Sequence, residues 1–497
     1  MPDHDRSIVD LQARMERHET SSEALTRAYL ARIDAIDRAG PTLRCVLETN
    51  TDALAIAADL DAERRLSGPR GPLHGIPVLL KDNVDTGDAL TTTAGSLALE
   101  GHHAQRDAFL VARLREAGAV ILGKTNLSEW ANYRSSRSSS GWSSRGGQVR
   151  NPYALDRSPG GSSAGSGAAV AAGLAAAAIG TETDGSITAP ASMNGVVGVK
   201  PTVGLVSRDG IVPIAASQDT AGPMTRTILD AAIVLDAIIG VDPRDPATNT
   251  GADRAPTAFT TAARRTDLRG VRLGVPSRWV GHHEASDAVA ARSFARLRAL
   301  GAEIVESVDV GPVEPLAEAE RVVLLVEFKA GLNAYLRDHP TAPVRSIDDV
   351  IAFNAQHAER VMPYFRQELL ELARDQPGLD DAAYLDARAT CLRLARTEGI
   401  DRVLREHSLD ALVAPTRVPA WTIDLIDGDR RIPSCSTHAA VAGYPHVSVP
   451  AGFVHGLPVG LSFVGTAYTD AELLGYAHAF ERAARAWRAP TFPDRVV

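Results

Sequence analysis

The chain has 497 residues, 44% hydrophobic and 23% charged, a composition that can bury a large core and excludes disorder of the chain as a whole. Its 52 Lys+Arg against 61 Asp+Glu give a formal charge of −9, which disfavours attraction to phosphate backbones and argues against nucleic acid as a partner. Cys45, Cys391 and Cys435 are widely scattered, without CxxC or Cys/His ligand spacing, so neither a disulfide framework nor a zinc site is indicated and a reducing compartment is the simpler expectation.

The opening Met1-Pro2-Asp3-His4-Asp5-Arg6 is polar and acidic, unlike the basic-then-apolar pattern of an export signal, so a cytoplasmic location is expected. Thr20-Ser21-Ser22-Glu23 fits a capping box, and Leu25, Tyr29, Ile33 and Ile36 then recur at helical spacing until Gly40-Pro41, which predicts an amphipathic helix. A second helix is predicted over Asp52 to Arg65. After the Ser67-to-Pro72 loop, the apolar run Ile76 to Leu80 predicts a strand with Lys81 at its end.

Asp107 to Ala117 reads as a helix capped by Gly118, and Ala119 to Gly123 as the next strand. The stretch Ala168 to Ile179 is mostly alanine and falls short of the ~20 apolar residues that span a bilayer, so it reads as a buried helix and no membrane is implied. Helix and strand alternate again through Thr227 to Ile239, Val271 to Val275, Ala285 to Leu300 and Ile304 to Val310. That alternation predicts an α/β architecture, helices layered on a mainly parallel sheet. From Glu314 to Glu406 strand signals vanish, and Leu316 to Leu336, Ser346 to Glu359 and Gln367 to Ala373 read as helices. Residues 314–406 are therefore expected as a mostly helical insertion within one domain spanning 1–497. Strands resume at Leu412 to Ala414, His446 to Val449 and Val459 to Val464, before a closing helix from Asp470 to Arg485.

The chemistry gathers in three segments. Ser158 to Gly167 and Gly180 to Ser186 are serine-bearing glycine loops on either side of the Ala-rich stretch, and Gly75 to Asn83 delivers Lys81. Hydrolysis of an amide needs an activated nucleophile, a proton carrier and donors for the oxyanion. Ser186 follows Asp184-Gly185 at a predicted turn into a short helix, where backbone N–H groups lack intrahelical partners. Lys81 can act as a base only when neutral, so its pKa must fall by ~3 units, about 4 kcal/mol, which burial can supply. Ser162 stands close enough in sequence for a serine relay, although a GGSS stretch can equally form a turn and a helix cap.

Gly75 to Asn83, Gly123-Lys124-Thr125-Asn126, Ser158 to Ser163, Gly180 to Ile187 and Gly198-Val199-Lys200-Pro201-Thr202 occur together in that order, followed by Asp410 to Thr416 and Ala442 to Pro445. This conjunction resembles the amidase signature family over nearly the whole chain. The resemblance implies that family's fold, a large mixed, mostly parallel sheet sandwiched by helices. It also implies a Ser–cis-Ser–Lys triad in which Ser186 is the nucleophile, Ser162 the bridging serine on a cis peptide and Lys81 the base. The implied oxyanion hole is the backbone N–H groups of Thr183, Asp184, Gly185 and Ser186, and neither metal nor organic cofactor is required. Within the family, Asn126 to Asn132, Val203 to Gly210 and Glu327 to Leu332 look most like the bacterial peptide amidases, which implies removal of C-terminal peptide amides by a monomer or homodimer.

Asp184, Ser163, Thr188 and Trp130 are the candidate substrate contacts. Thr188 stands where many members carry an arginine able to bind a carboxylate, which favours a neutral or amidated substrate. Three other readings are kept. The glutaminase subunit of a tRNA-dependent amidotransferase shares the signature, as do broad amidases of small, aryl or fatty amides. Gly161-Ser162-Ser163-Ala164-Gly165 also satisfies G-x-S-x-G, which would pair Ser163 with His438 or His446. No lysine follows the last glycine as a P-loop requires, and His102-His103 have no third ligand spaced to join them, so they read as loop histidines.

Overall fold

The computed structural model describes residues 2–250, 258–430 and 432–496. Its strands are β1 (Val46–Thr49), β2 (Pro77–Lys81), β3 (Val120–Thr125), β4 (Trp142–Ser143), β5 (Gly147–Gln148), β6 (Ala177–Glu182), β7 (Val197–Lys200), β8 (Thr220–Thr225), β9 (Arg272–Pro276), β10 (Glu303–Val308), β11 (Ala411–Pro415), β12 (His446–Val454) and β13 (Leu457–Val464). Apart from the small β4–β5 hairpin, they form one eleven-stranded mixed sheet in the order β1-β3-β2-β6-β8-β7-β12-β13-β11-β9-β10. Parallel pairs gather in two blocks, β3-β2-β6 and β11-β9-β10, and antiparallel strands join them through the middle. Parallel neighbours need a crossover, and helices supply it: Phe109–Glu116 between β2 and β3, Glu284–Ala299 between β9 and β10.

The helix forms one residue later than the Thr20-to-Glu23 capping box implies: Ser21 is the N-cap and accepts from Ala24 N, and the helix runs Ser22–Arg32 before a π-type turn over Ile33–Arg38. The stretch Ala168 to Ile179, however, is two elements and not one buried helix. The helix Ala164–Ala171 ends where Gly173 takes φ +68°. There Leu174 N bonds Ala169 O and Gly173 N bonds Val170 O, the Schellman pattern that stops a helix. The chain then enters β6, whose burial on both faces makes its apolar run indistinguishable from a buried helix by periodicity. This break turns the chain back, so that the serine loop before the helix and the serine loop after β6 meet at one end of the sheet.

Between Glu314 and Glu406 there is no strand among the described residues. The helices Glu314–Asp338, Ile347–Gln356, Ala358–Val361 and Glu368–Arg374 are followed by Ala382–Leu392 and Asp401–Glu406, which the sequence pattern did not reveal. Ala382–Leu392 buries only Ala387 and Cys391, too thin a stripe to announce itself. This helical layer packs Phe328, Leu332, Leu336 and Ile347 against Trp130, Val212 and Ile214, over the end of β2 and β6 where the loops converge.

Candidate active site

Lys81 is the last residue of β2, fully buried, and its stem lies in the sheet between β3 and β6. Its Nζ stands 2.8 Å from Ser162 Oγ, 3.0 Å from Ser163 Oγ, 2.8 Å from Thr181 Oγ1 and 3.1 Å from Thr181 O. No carboxylate among the described residues bonds it. Burial therefore dominates and holds its pKa down to about 7 against the opposing pull of Asp219 and Glu182. Lys124 and Lys200 are buried too, but Lys124 donates to Val84 O, Thr91 O and Thr92 Oγ1, and Lys200 to Pro201 O. Of these three, Lys81 alone faces serines.

Ser162 follows a cis peptide from Gly161 and is fully buried; its carbonyl accepts from Ser128 N at 3.1 Å. Ser163 is held by Thr181, accepting from the Thr181 N–H at 3.1 Å while lying 3.0 Å from its carbonyl. The two serine loops are stitched together by a bond from Ser163 N to Ser186 O, 3.0 Å.

Ser186 sits just before the short helix Thr188–Met193 and is 8% exposed. Gly185 takes φ +75°, which reverses the chain so that successive N–H groups point one way. The first helical donors are already used: Glu182, buried at the end of β6, accepts from Ile187 N (2.7 Å), Thr188 N (2.9 Å) and Thr188 Oγ1 (3.2 Å). By contrast, the N–H groups of Thr183, Asp184, Gly185 and Ser186 donate to no protein acceptor among the described residues. They front a cavity of ≈ 390 Å³, walled by Gly160, Gly161, Tyr133, Arg417, Trp421 and Thr437 among others.

The candidate substrate contacts divide. Asp184 lines this cavity, with Oδ2 accepting from Thr437 Oγ1 at 2.8 Å. Thr188 does not: its hydroxyl is turned to Glu182 and it is 1% exposed. Ser163 is spent on Lys81 and Thr181, and Trp130 is buried in the apolar cluster under the helical layer. The residues flanking Trp130 reach the cavity instead, Ala131, Asn132 and Tyr133.

The G-x-S-x-G alternative finds no base. His446 bonds Ser462 Oγ at 2.6 Å with its pKa driven down to about 3 by burial, and His438 packs on Trp279 at 5.9 Å. Neither bonds Ser163.

Sequence reasoning missed the outer supports. Asn83 donates to Thr181 Oγ1 at 3.0 Å and so steadies the hydroxyl that bonds Lys81. Asp219 accepts from Thr183 Oγ1 (2.6 Å), Ile214 N and Ala215 N, and burial pushes its pKa up to about 6. Gln218 ties the Thr183 carbonyl (3.3 Å) to Glu320 (2.8 Å) of the helical layer. The signal was the polar Gln218-Asp219-Thr220 placed directly before a run containing Gly222-Pro223, which reads as a turn.

A fold of this kind with a buried lysine on serines and a fan of free N–H groups is that of an amide hydrolase. The amidase family profile matches residues 24–474, and the chain belongs to that family. The native peptide amidase from Stenotrophomonas maltophilia superposes with a TM-score of 0.94 at 54% identity, covering 98% of each chain. A probable amidase of Arabidopsis thaliana is 41% identical over 98% of this chain and 91% of its own length. A glutamyl-tRNA(Gln) amidotransferase subunit of Halorhodospira halophila is 36% identical over 96% of this chain and 97% of its own length.

Proposed function

We propose that the protein hydrolyses the C-terminal carboxamide of peptides, with Ser186 as nucleophile, Ser162 as proton bridge and Lys81 as base. The observation that carries this reading is the fully buried Lys81 amine, 2.8 Å from Ser162 and without a carboxylate partner among the described residues. Neutral Lys81 takes the proton of Ser162 as Ser162 takes that of Ser186, and Ser186 Oγ forms its bond to the amide carbon. The resulting oxyanion is received by the N–H groups of Thr183, Asp184, Gly185 and Ser186. The proton returns through Ser162 to the leaving nitrogen, the C–N bond breaks, and ammonia departs from an acyl-Ser186 ester. Water then attacks that ester by the same relay and restores Ser186 with release of the peptide acid.

The hydroxyls of Ser162 and Ser186 make no hydrogen bond to each other among the described residues, and that contact is proposed to form as substrate settles, as catalytic hydrogen bonds commonly tighten on binding. The peptide preference is supported by 54% identity to a peptide amidase over nearly the full length. The 36% identity to an amidotransferase component supports a second reading, ammonia release from glutamine for a partner protein.

The test is ammonia release by the isolated chain from a peptide amide, an amino-acid amide, a fatty amide and glutamine, with Ser186→Ala as blank. The peptide amide is expected to turn over fastest. Glutamine turnover that rises only when partner proteins are added would select the second reading, and equal rates on all four would defeat the peptide preference.

A further inference from the structure

Asp85, His102 and His339 come from three distant parts of the chain. Asp85 lies four residues beyond Lys81, His102 follows the turn Leu97–Leu99, and His339 caps the helix Glu314–Asp338. All three are buried, at 1%, 1% and 6% exposure, and one ligating atom of each lies within 4.8 Å of the others. Sequence spacing offered His102 no partners, and the tertiary fold supplies two.

The protonation chemistry of the cluster is unusual. Nδ1 of His339 lies 2.8 Å from the Tyr335 carbonyl, which can only accept, so Nδ1 carries the hydrogen and the neutral ring presents a lone pair at Nε2. That Nε2 is 2.9 Å from Asp85 Oδ2, an oxygen that accepts no hydrogen bond. Two electron pairs at this distance require a positive charge beside them, either a second proton on His339 or a bound cation.

His102 separates the two. Its ring meets that of His339 edge-on, with centroids 5.3 Å apart, and its Nδ1 has no partner although the residue is buried. His102 Nε2 lies 3.4 Å from Tyr335 Oη, so a proton on His339 would leave only His102 Nδ1 without a partner, whereas a divalent ion uses both rings. The outer partners match those of a metal site as well. His339 donates its other nitrogen to a backbone carbonyl, and the second oxygen of Asp85 accepts from Tyr335 Oη at 2.7 Å. Ligands in metalloproteins are oriented in this manner.

We propose that Asp85, His102 and His339 form a structural site for a divalent transition-metal ion, of which zinc suits the two-imidazole, one-carboxylate donor set. Two atoms 2.9 Å apart can both lie about 2.0–2.1 Å from one ion, and closing the triangle on His102 needs a movement on the order of 1 Å. The ion pins the loop leaving Lys81 and the segment around His102 to the end of the long helix. Its effect is on the stability of the helical layer and not on the reaction.

The probe is Zn²⁺ alone. Protein stripped with a chelator, reloaded and passed through gel filtration is expected to retain one zinc per chain by elemental analysis and to melt several degrees higher than the stripped form. His102→Gln and His339→Gln are expected to lose that retention. Should either variant fail to fold, Co²⁺ loaded into the unaltered protein serves instead, with visible bands of four- or five-coordinate N/O ligation expected. Failure of the unaltered protein to retain one equivalent overturns the proposal, as does full retention in both folded variants, which would place the ion elsewhere, for example on His282 and His283. Six-coordinate cobalt spectra overturn it too.

Discussion

Replacing Lys81 by methionine separates catalysis from stability, because the two respond with opposite signs. At its ordinary value of 10.5 a lysine is neutral in about 1 molecule in 3000 at pH 7, whereas at about 7 it is neutral in about half. The depression corresponds to about 5 kcal/mol by which burial disfavours the ammonium. The folded pKa lies below the unfolded one, so between about pH 7 and 10.5 the unfolded chain binds more protons and this group makes stability rise with pH. Its destabilising contribution is fully present below pH 7 and gone above 10.5. Lys81→Met removes that contribution but also the bonds to Ser162, Ser163 and Thr181, at about 1 kcal/mol each. The variant is therefore expected to be more stable than the parent at pH 6, by about 2 kcal/mol, and less stable above pH 10, as read from urea midpoints. Its kcat/KM for a peptide amide should fall at least ~10³-fold, while the parent's kcat/KM climbs with pH to a plateau, half-maximal near pH 7. A parent profile flat from about pH 5 to 9, or a variant equally destabilised at pH 6 and pH 10, would refute the reasoning.

Three further substitutions probe the surroundings. Gly185→Ala places a Cβ 3.1 Å from Ser436 Oγ at φ +75°, a backbone cost of about 1–2 kcal/mol; kcat should drop ~10²-fold or more as donors lose aim, with KM little changed in steady-state assays. Arg134→Met strands the buried Glu129 carboxylate that it pairs at 3.0 Å, so denaturant titration should show a loss of about 3–5 kcal/mol, most of it recovered in Glu129→Met/Arg134→Met. Asp184→Asn removes one of the cavity's two lining carboxylates, Asp429 being the other, while keeping an acceptor for Thr437; kcat/KM for peptide amides should fall ~10-fold or more, as for a hydrogen bond to a charged group, and equal rates for peptide amides and small amides before and after the change would rule out a substrate contact.

The parts of the fold that the sequence announced are capped helices and apolar runs bounded by glycine and proline. The Ser22–Arg32 helix, β2, β3 and the helices Ile228–Ile238 and Glu284–Ala299 all lie within a few residues of their expected bounds. The central strands were illegible for a physical reason: β7 and β8 are buried on both faces, and β8 carries Gly222-Pro223. Neither alternation nor turn chemistry marks such a strand. For the site, Lys81, Ser162 and Ser186 were named because their loops carry glycines beside polar residues. Thr188 and Trp130 face away from the cavity because sequence position does not fix side-chain direction; Glu182 captures the one and the helical layer covers the other. The His102 cluster was invisible, since its members stand 17 and 237 positions apart in the order Asp85, His102, His339.

Lys81 can be neutral only because the nearby acids are occupied elsewhere. Glu182 must hold the N-terminal donors of the Thr188–Met193 helix, a task that calls for a carboxylate, yet an unshielded carboxylate there would pull a proton onto Lys81. Lys200, at the end of β7, resolves the conflict: its charge is the largest influence lowering the pKa of Glu182 against burial, and Glu182 in turn is the largest opposing the depression of Lys200, whose pKa rests at about 8. The two buried lysines thus divide the work. Lys200 favours the charged form of Glu182 against burial, and Lys81 is left to burial, beside the Ser162 and Thr181 hydroxyls, which can donate to a neutral amine as well as accept from it. Asp219 is kept from the same pairing by its own donors, Thr183 Oγ1, Ile214 N and Ala215 N, which saturate the carboxylate within the turn. The basicity of the site is accordingly a property of three strands, β2, β6 and β7, which β8 links through the antiparallel middle of the sheet, and not of the lysine loop alone.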